Sequence, residues 1–148
     1  MSVVNSIEAW HKAARPQPTN KNFQVQLGCH LEEVAEMLTC LVGANSAAGY
    51  ELQIVREAVE QLAEGLKQGA VNLVLPDPNR MAFLDSLADQ VVTAVGVGHC
   101  AYMSMPEALT RVDTSNWSKF VDGKPVFNEH GKITKPATYQ PPNLEGLY

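Results

Sequence analysis

The chain has 148 residues, enough for a single domain with a sizeable core. Hydrophobic residues make up 45% and charged residues 18%, ordinary values for a soluble globular protein. A formal net charge of -5 and the lack of a long basic stripe exclude a coat for polymeric nucleic acid, although local lysines still suit a nucleotide-sized ligand.

Three cysteines, Cys29, Cys40 and Cys100, form no CxxC pair, which argues against a disulfide framework or a zinc site and for a reducing, cytoplasmic setting. The N-terminal MSVVNSIEAWHK lacks the apolar core of a signal peptide. The most apolar run, Val91 to Met103, is too short to span a bilayer and reads as a buried helix, so no membrane partner is expected.

In chain order, the first helix is expected over Ile7 to Ala14, with Asn5 or Ser6 as its N-cap, and Arg15-Pro16-Gln17-Pro18 ends it. The second spans about Lys21 to Val42, with Leu27, Leu31, Val34, Leu38 and Leu41 as one apolar stripe. Ser46 to Gly49 reads as loop. The third helix runs from about Glu51 to Gln68 on the stripe Leu52, Val55, Val59, Leu62 and Leu66, with Gly69 as C-cap. After the rigid Leu75-Pro76-Asp77-Pro78, a fourth helix is expected from about Asn79 to Met103. Ser104-Met105-Pro106-Glu107 reads as a capping box that starts the fifth, which ends near Lys119. Beyond Val121, Asp122-Gly123 and His130-Gly131 are turn signals, and Lys124 to Phe127 could pair with Lys132 to Thr134. Pro136, Pro141 and Pro142 keep the end extended. The reading is one all-α domain over residues 1–148: a bundle of about five helices over roughly 5–120, then an irregular tail over 121–148.

The chemistry lies in the carboxylates. Residues three and four apart share a helix face, so Glu36 neighbours both Glu32 and Glu33, and Asp85 neighbours Asp89. Two such pairs on two helices suit a hard divalent cation, which takes oxygen ligands and keeps some waters. The same spacing also suits a solvated face opposite the apolar stripe. After Asp89 the helix is apolar nearly all round, and carboxylates at the edge of a buried helix are costly unless paired or bound to a cation.

These residues resemble a known pattern, that of the MazG-like all-α nucleoside triphosphate pyrophosphohydrolases, with EExxE on one helix and ExxD on a later one. Glu32-Glu33-Val34-Ala35-Glu36 matches the first part, and Leu87-Ala88-Asp89 ends the second. The tail run Asn116-Trp117-Ser118-Lys119, Asp122-Gly123-Lys124-Pro125, Gly131-Lys132 and Lys135-Pro136 resembles the NxSK…DGK…KP tail of a bacterial and phage branch. The similarity covers roughly residues 20 to 145. It departs at Ser86, which stands where ExxD has its glutamate; Asp85, one residue earlier, is the candidate replacement. The segment between the motifs is also long, holding a whole helix.

The resemblance implies cleavage between the α and β phosphates of a (deoxy)nucleoside triphosphate, giving the monophosphate and pyrophosphate. It implies Mg²⁺ or Mn²⁺ on Glu33, Glu36 and Asp89, with Asp85 as a fourth ligand, and Glu32 orienting or deprotonating the attacking water. It also implies Lys119, Lys135 and Lys124 against phosphates, Asn116 on the nucleotide or the tail, and a homodimer or homotetramer. The purpose would be nucleotide-pool control or house-cleaning. The alternatives are a phosphoribosyl-ATP pyrophosphohydrolase and a non-catalytic helical protein that binds a nucleotide or a partner. Of the remaining residues, Trp10 reads as core, His99 as a hydrogen-bonded interior histidine, and Tyr139 as packing; Lys132 reads as a turn lysine. The tail, long and with few turns, is expected to reach a neighbouring subunit.

Overall fold

The first three helices each start where a short polar side chain takes a free backbone N–H. In the computed structural model, which describes residues 2–148, Ser2 accepts from Asn5 N at 3.3 Å and opens α1 (Val3–Ala14), four residues before the expected start. Thr19 and Asn22 form a reciprocal capping box that opens α2 (Asn20–Thr39). Asn45 accepts from Ala48 N at 2.9 Å, so α3 (Ser46–Gln68) takes in the stretch expected as loop. Gly69 closes α3 in the left-handed conformation, φ 77°, as its place after the last periodic residue suggests. A single 3-10 turn, Asp77–Asn79, leads into α4 (Arg80–Cys100). Ser104 caps α5 (Met105–Trp117) with no side-chain hydrogen bond, so the capping box expected there does not form. The described residues therefore form an all-α fold of five α-helices, followed by a short tail that holds one small hairpin.

The tail hairpin is more local than expected. Asp122 (φ 49°) and Gly123 (φ 73°) both take positive φ, the demand of a tight two-residue hairpin turn. They join β1 (Phe120–Val121) to β2 (Lys124–Pro125), antiparallel, with Phe120 opposite Pro125. The pairing expected farther on survives as one bridge, Phe127 to Ile133, and a Thr134 N–H donated to Val126 O at 2.7 Å.

The chain divides into two compact units. One is formed by Met1–Gln17, Leu75–Phe127 and Ile133–Tyr148. Here α1 packs on α5 around Trp10, which is buried as expected and donates its indole N–H to Asn116 O at 2.9 Å. Phe120 stacks at 5.7 Å on Trp10 and meets Trp117 edge-on at 5.4 Å. The tail is stitched to α5. Ser115 Oγ donates to Gln140 O at 2.6 Å, Gln140 N donates to Ser118 Oγ at 2.8 Å, and Arg111 Nη1 donates to Asn143 O at 2.9 Å.

In this unit α4 departs most from expectation. Apart from Gly98, which is buried against Met105, no residue of α4 is buried; Val92 is 67% and Met81 84% exposed. His99, expected inside, is exposed. Apolar composition is not itself burial. Counted from Asp77 to Cys100, the helix is 24 residues and apolar enough by length and composition to cross a membrane. Asp85 and Asp89 lie near its middle, where each carboxylate would cost about 2.5–3.5 kcal/mol in a bilayer; that weighs against a span.

The other unit, Pro18–Val74 with Asn128–Lys132, is built on α2 against α3. Its seam is made of small residues. Gly28 and Ala35 of α2 and Ala63 of α3 are buried, beside Val25 and Leu66. A Cβ on Gly28 would stand 2.8 Å from Ala63 O and 2.8 Å from Lys67 Cγ, so the helices approach more closely than any side chain there allows. The stripe that packs is thus rotated from the leucine stripe read in the sequence, whose members are all half-buried or exposed. Gln24, 3% exposed, donates to Leu73 O at 2.7 Å and accepts from Leu73 N at 2.9 Å, and so ties the chain leaving α3 back to α2. Gly28→Val should lower the unfolding free energy by about 1–3 kcal/mol in urea titration, the usual cost of overpacking; an unchanged midpoint would show that the seam is not tight.

Candidate functional site

Because Gly28 and Ala35 face α3, Glu32, four residues after one and three before the other, faces α3 too. Glu33 lies about 100° round the helix and is exposed, as is Glu36. The three glutamates of one motif therefore have different fates. Glu32 is half-buried, its side chain 26% exposed, and each of its oxygens takes a lysine. Lys67 Nζ donates to Oε1 at 2.7 Å and Lys132 Nζ to Oε2 at 2.7 Å. Lys67, 15% exposed at its side chain, also pairs with Glu64 at 2.9 Å. Among the described residues, Glu33 and Glu36 make no side-chain hydrogen bond or ion pair.

The proton affinities follow. Burial alone would raise the Glu32 carboxyl, but the hydrogen bonds and charges of Lys132 and Lys67 outweigh it and hold the group below the usual glutamate value. For Lys67, burial works against the charge, while Glu32 and then Glu64 outweigh it and raise the ammonium.

Glu32, Glu36, Glu60 and Glu64, with Lys67, Ala35 and Ala63, line a cavity of about 220 Å³ between α2 and α3. That is below the ~300 Å³ at which small-molecule sites begin, so it suits an ion with waters or one phosphoryl group rather than a whole nucleotide. Glu60 and Glu64 escaped the sequence reading. Their signal in the sequence is an i, i+4 glutamate pair on the polar side of α3, opposite its apolar stripe. Lys67 and Lys132 escaped it as well.

Asp85 and Asp89 lie one turn apart on α4 in the other unit, both exposed and, among the described residues, without a side-chain partner. Among the described residues no three His, Cys, Asp or Glu side chains are gathered closely enough to hold a metal ion. Glu33, Glu36, Asp85 and Asp89 are each hard oxygen donors without a side-chain partner among the described residues.

The substrate-binding candidates fare unevenly. Asn116 ends α5, and its Oδ1 accepts from Lys119 Nζ at 2.7 Å. Lys119 and Lys135 both stand over the Tyr139 ring, 5.8 and 5.2 Å from its centre. The structure thus brings Asn116, Lys119 and Lys135 together around a tyrosine that reads as packing in the sequence. Lys124, on β2, is exposed and lies outside this group of contacts.

No family model, no curated protein and no solved structure matches the chain.

The ion pairs give stability a pH dependence. Glu32 is depressed in the folded state, so its contribution is fully present above the ordinary carboxyl value near 4.3 and is lost as pH falls through the lower folded value. In urea titrations between about pH 6 and pH 3, wild type should lose more stability than Lys67→Met, which has less depression of Glu32 to lose. Parallel losses would show that the pair is not formed in solution.

Proposed function

We propose that the protein is a Mg²⁺-dependent pyrophosphohydrolase, cleaving a (deoxy)nucleoside triphosphate to the monophosphate and pyrophosphate. The observation that carries this reading is the division of labour on α2. The carboxylates assigned to the ion, Glu33 and Glu36, are unpaired, while the one assigned to the water, Glu32, is held by two lysines. Asp85 and Asp89 make up the second unpaired carboxylate couple that the reading assigns to the ion. Mg²⁺ held by these groups would stabilise charge on phosphoryl oxygens and acidify a bound water. Glu32 then acts as a fixed acceptor. A carboxylate offers about four lone-pair sites, and two lysines leave sites for the attacking water. Water adds at one phosphorus of the α–β anhydride, the bridging P–O bond breaks, and the water's proton leaves to solvent or a nearby base. Its depressed proton affinity makes Glu32 a better orienter than proton acceptor. Lys119 and Lys135, set round Tyr139 with Asn116, supply cations for the phosphates.

The chain acts in this reading as a homodimer or homotetramer in the cytoplasm, with the exposed apolar side of α4 as the surface for a second copy. Light scattering should give a mass that is a multiple of 16.1 kDa; a monomer at micromolar concentration would remove this part.

Chromatography of a ribo- and deoxyribonucleoside triphosphate panel with Mg²⁺ should yield a monophosphate and pyrophosphate from at least one member. Glu36→Gln should cut that turnover by roughly 100-fold or more while the circular dichroism stays unchanged. Turnover of phosphoribosyl-ATP alone would assign the histidine-biosynthesis alternative. Nucleotide binding without turnover in Mg²⁺ or Mn²⁺ would favour a binding protein, the reading that Ser86 in place of a glutamate invites.

A further inference from the structure

Lys132 lies 100 residues along the chain from Glu32, and its arrival there is built rather than incidental. The segment that carries it, Asn128–Lys132, is a closed loop. Asn128 N donates to Lys132 O at 2.9 Å, while Asn128 Oδ1 accepts from His130 N at 3.1 Å and from Lys132 N at 2.9 Å. Gly131 turns the backbone at φ 81°, a conformation that side chains resist. One asparagine thus fixes both ends of the loop and aims its lysine. Lys67 is delivered by different means. It stands four residues after Ala63, on the buried side of α3, and its stem passes Gly28, where no side chain blocks it. Two independent elements therefore converge on one carboxylate, one ammonium to each oxygen.

A single lysine would leave a carboxylate free to swing about its last bond. Two lysines on opposite oxygens remove that freedom, as a bidentate partner does. Glu64, the second partner of Lys67, holds that ammonium from the far side and so fixes the fixer.

We propose that Lys67 and Lys132 are positioning residues for Glu32: they lock its carboxylate plane and with it the orientation of the attacking water, and Asn128 and Gly131 shape the tail loop for this purpose. The catalytic half of this inference rests on the pyrophosphohydrolase reading; the locking half stands apart from it.

The test has an arm for each half. In the first, the side-chain ammonium resonances of ¹⁵N-lysine-labelled protein are recorded. Lys67 and Lys132 should give slowly exchanging signals in wild type; in Glu32→Gln the Lys132 signal should fade into the solvent-exchanging pool and the Lys67 signal, left with Glu64 alone, should weaken. In Lys12→Met, which loses an exposed lysine elsewhere, they should be unchanged. In the second, steady-state kinetics on the best substrate should show Lys132→Met lowering kcat about 10-fold with KM within about twofold, since misplacement of a reacting group costs up to about 100-fold. Lys132→Arg, which keeps a cation on the loop, should recover most of kcat; a merely structural lysine would move neither parameter, or both with the melting temperature. Wild-type kcat in Lys132→Met overturns the positioning role. Absence of protected ammonium signals in wild type overturns the lock itself, whether or not any nucleotide is cleaved. If no nucleotide is cleaved yet the signals behave as described, the lock is upheld and the enzymatic reading falls.

Discussion

The close approach of α2 and α3 is the constraint on which the site depends. Gly28, Ala35 and Ala63 leave no side chain thick enough to hold the two backbones apart. That seam decides the rotation of α2 about its own axis, because the face carrying residues 28 and 35 must turn inward. Glu32 is carried in with it. A carboxylate drawn toward a helix–helix contact is stable only with cations at hand, and Lys67 and Lys132 supply them. The three leucines of α2, Leu27, Leu31 and Leu38, are left half-buried beside the seam.

The same rotation sorts the motif. Of three glutamates spaced for one helical face, a shift of one residue is enough to put Glu33 outside while Glu32 goes in. Electrostatics then reinforces geometry. The inner carboxylate is neutralised and held below the ordinary carboxyl range. The outer ones, Glu33 and Glu36, have no side-chain partner among the described residues. One short stretch thereby presents two kinds of carboxylate: an oriented acceptor and free ligands. That combination suits hydrolysis of a phosphoanhydride, in which a water must be aimed and developing charge must be met.

Much of the fold was legible in the sequence, for reasons of local chemistry. The five helices follow from apolar periodicity, and Gly69 from its place after the last periodic residue of α3. Trp10 sits where Ile7 and Ala14 imply a core. What the sequence concealed was tertiary. Ser46 to Gly49 looked like loop because of its glycine and serine, yet the Asn45 cap recruits it into α3. Ser104 and Glu107 have the spacing of a capping box but not its hydrogen bonds. The apolar block of α4 implied burial, yet among the described residues of that helix only Gly98 is buried. In the site, the motif glutamates could be named, but not which of them turns inward, since that rests on Gly28 meeting Ala63 on another helix. Lys132 could not be placed on Glu32 from any local pattern, whereas Lys67 and the Glu60, Glu64 pair were within reach of a reading that had weighed the polar face of α3 as closely as its apolar one.

In the proposed function Glu32 is held back from the metal, and Glu33 and Glu36 are among its ligands. Paramagnetic relaxation by Mn²⁺, mapped along the backbone by NMR, tests this without any turnover. The account predicts selective broadening around Glu33 and Glu36, and around Asp85 and Asp89, that Mg²⁺ competes away while the Lys67 and Lys132 ammonium signals persist. Loss of those lysine signals on Mn²⁺ addition, with Glu32 taken as a ligand, or broadening that spares α2 altogether, would contradict it.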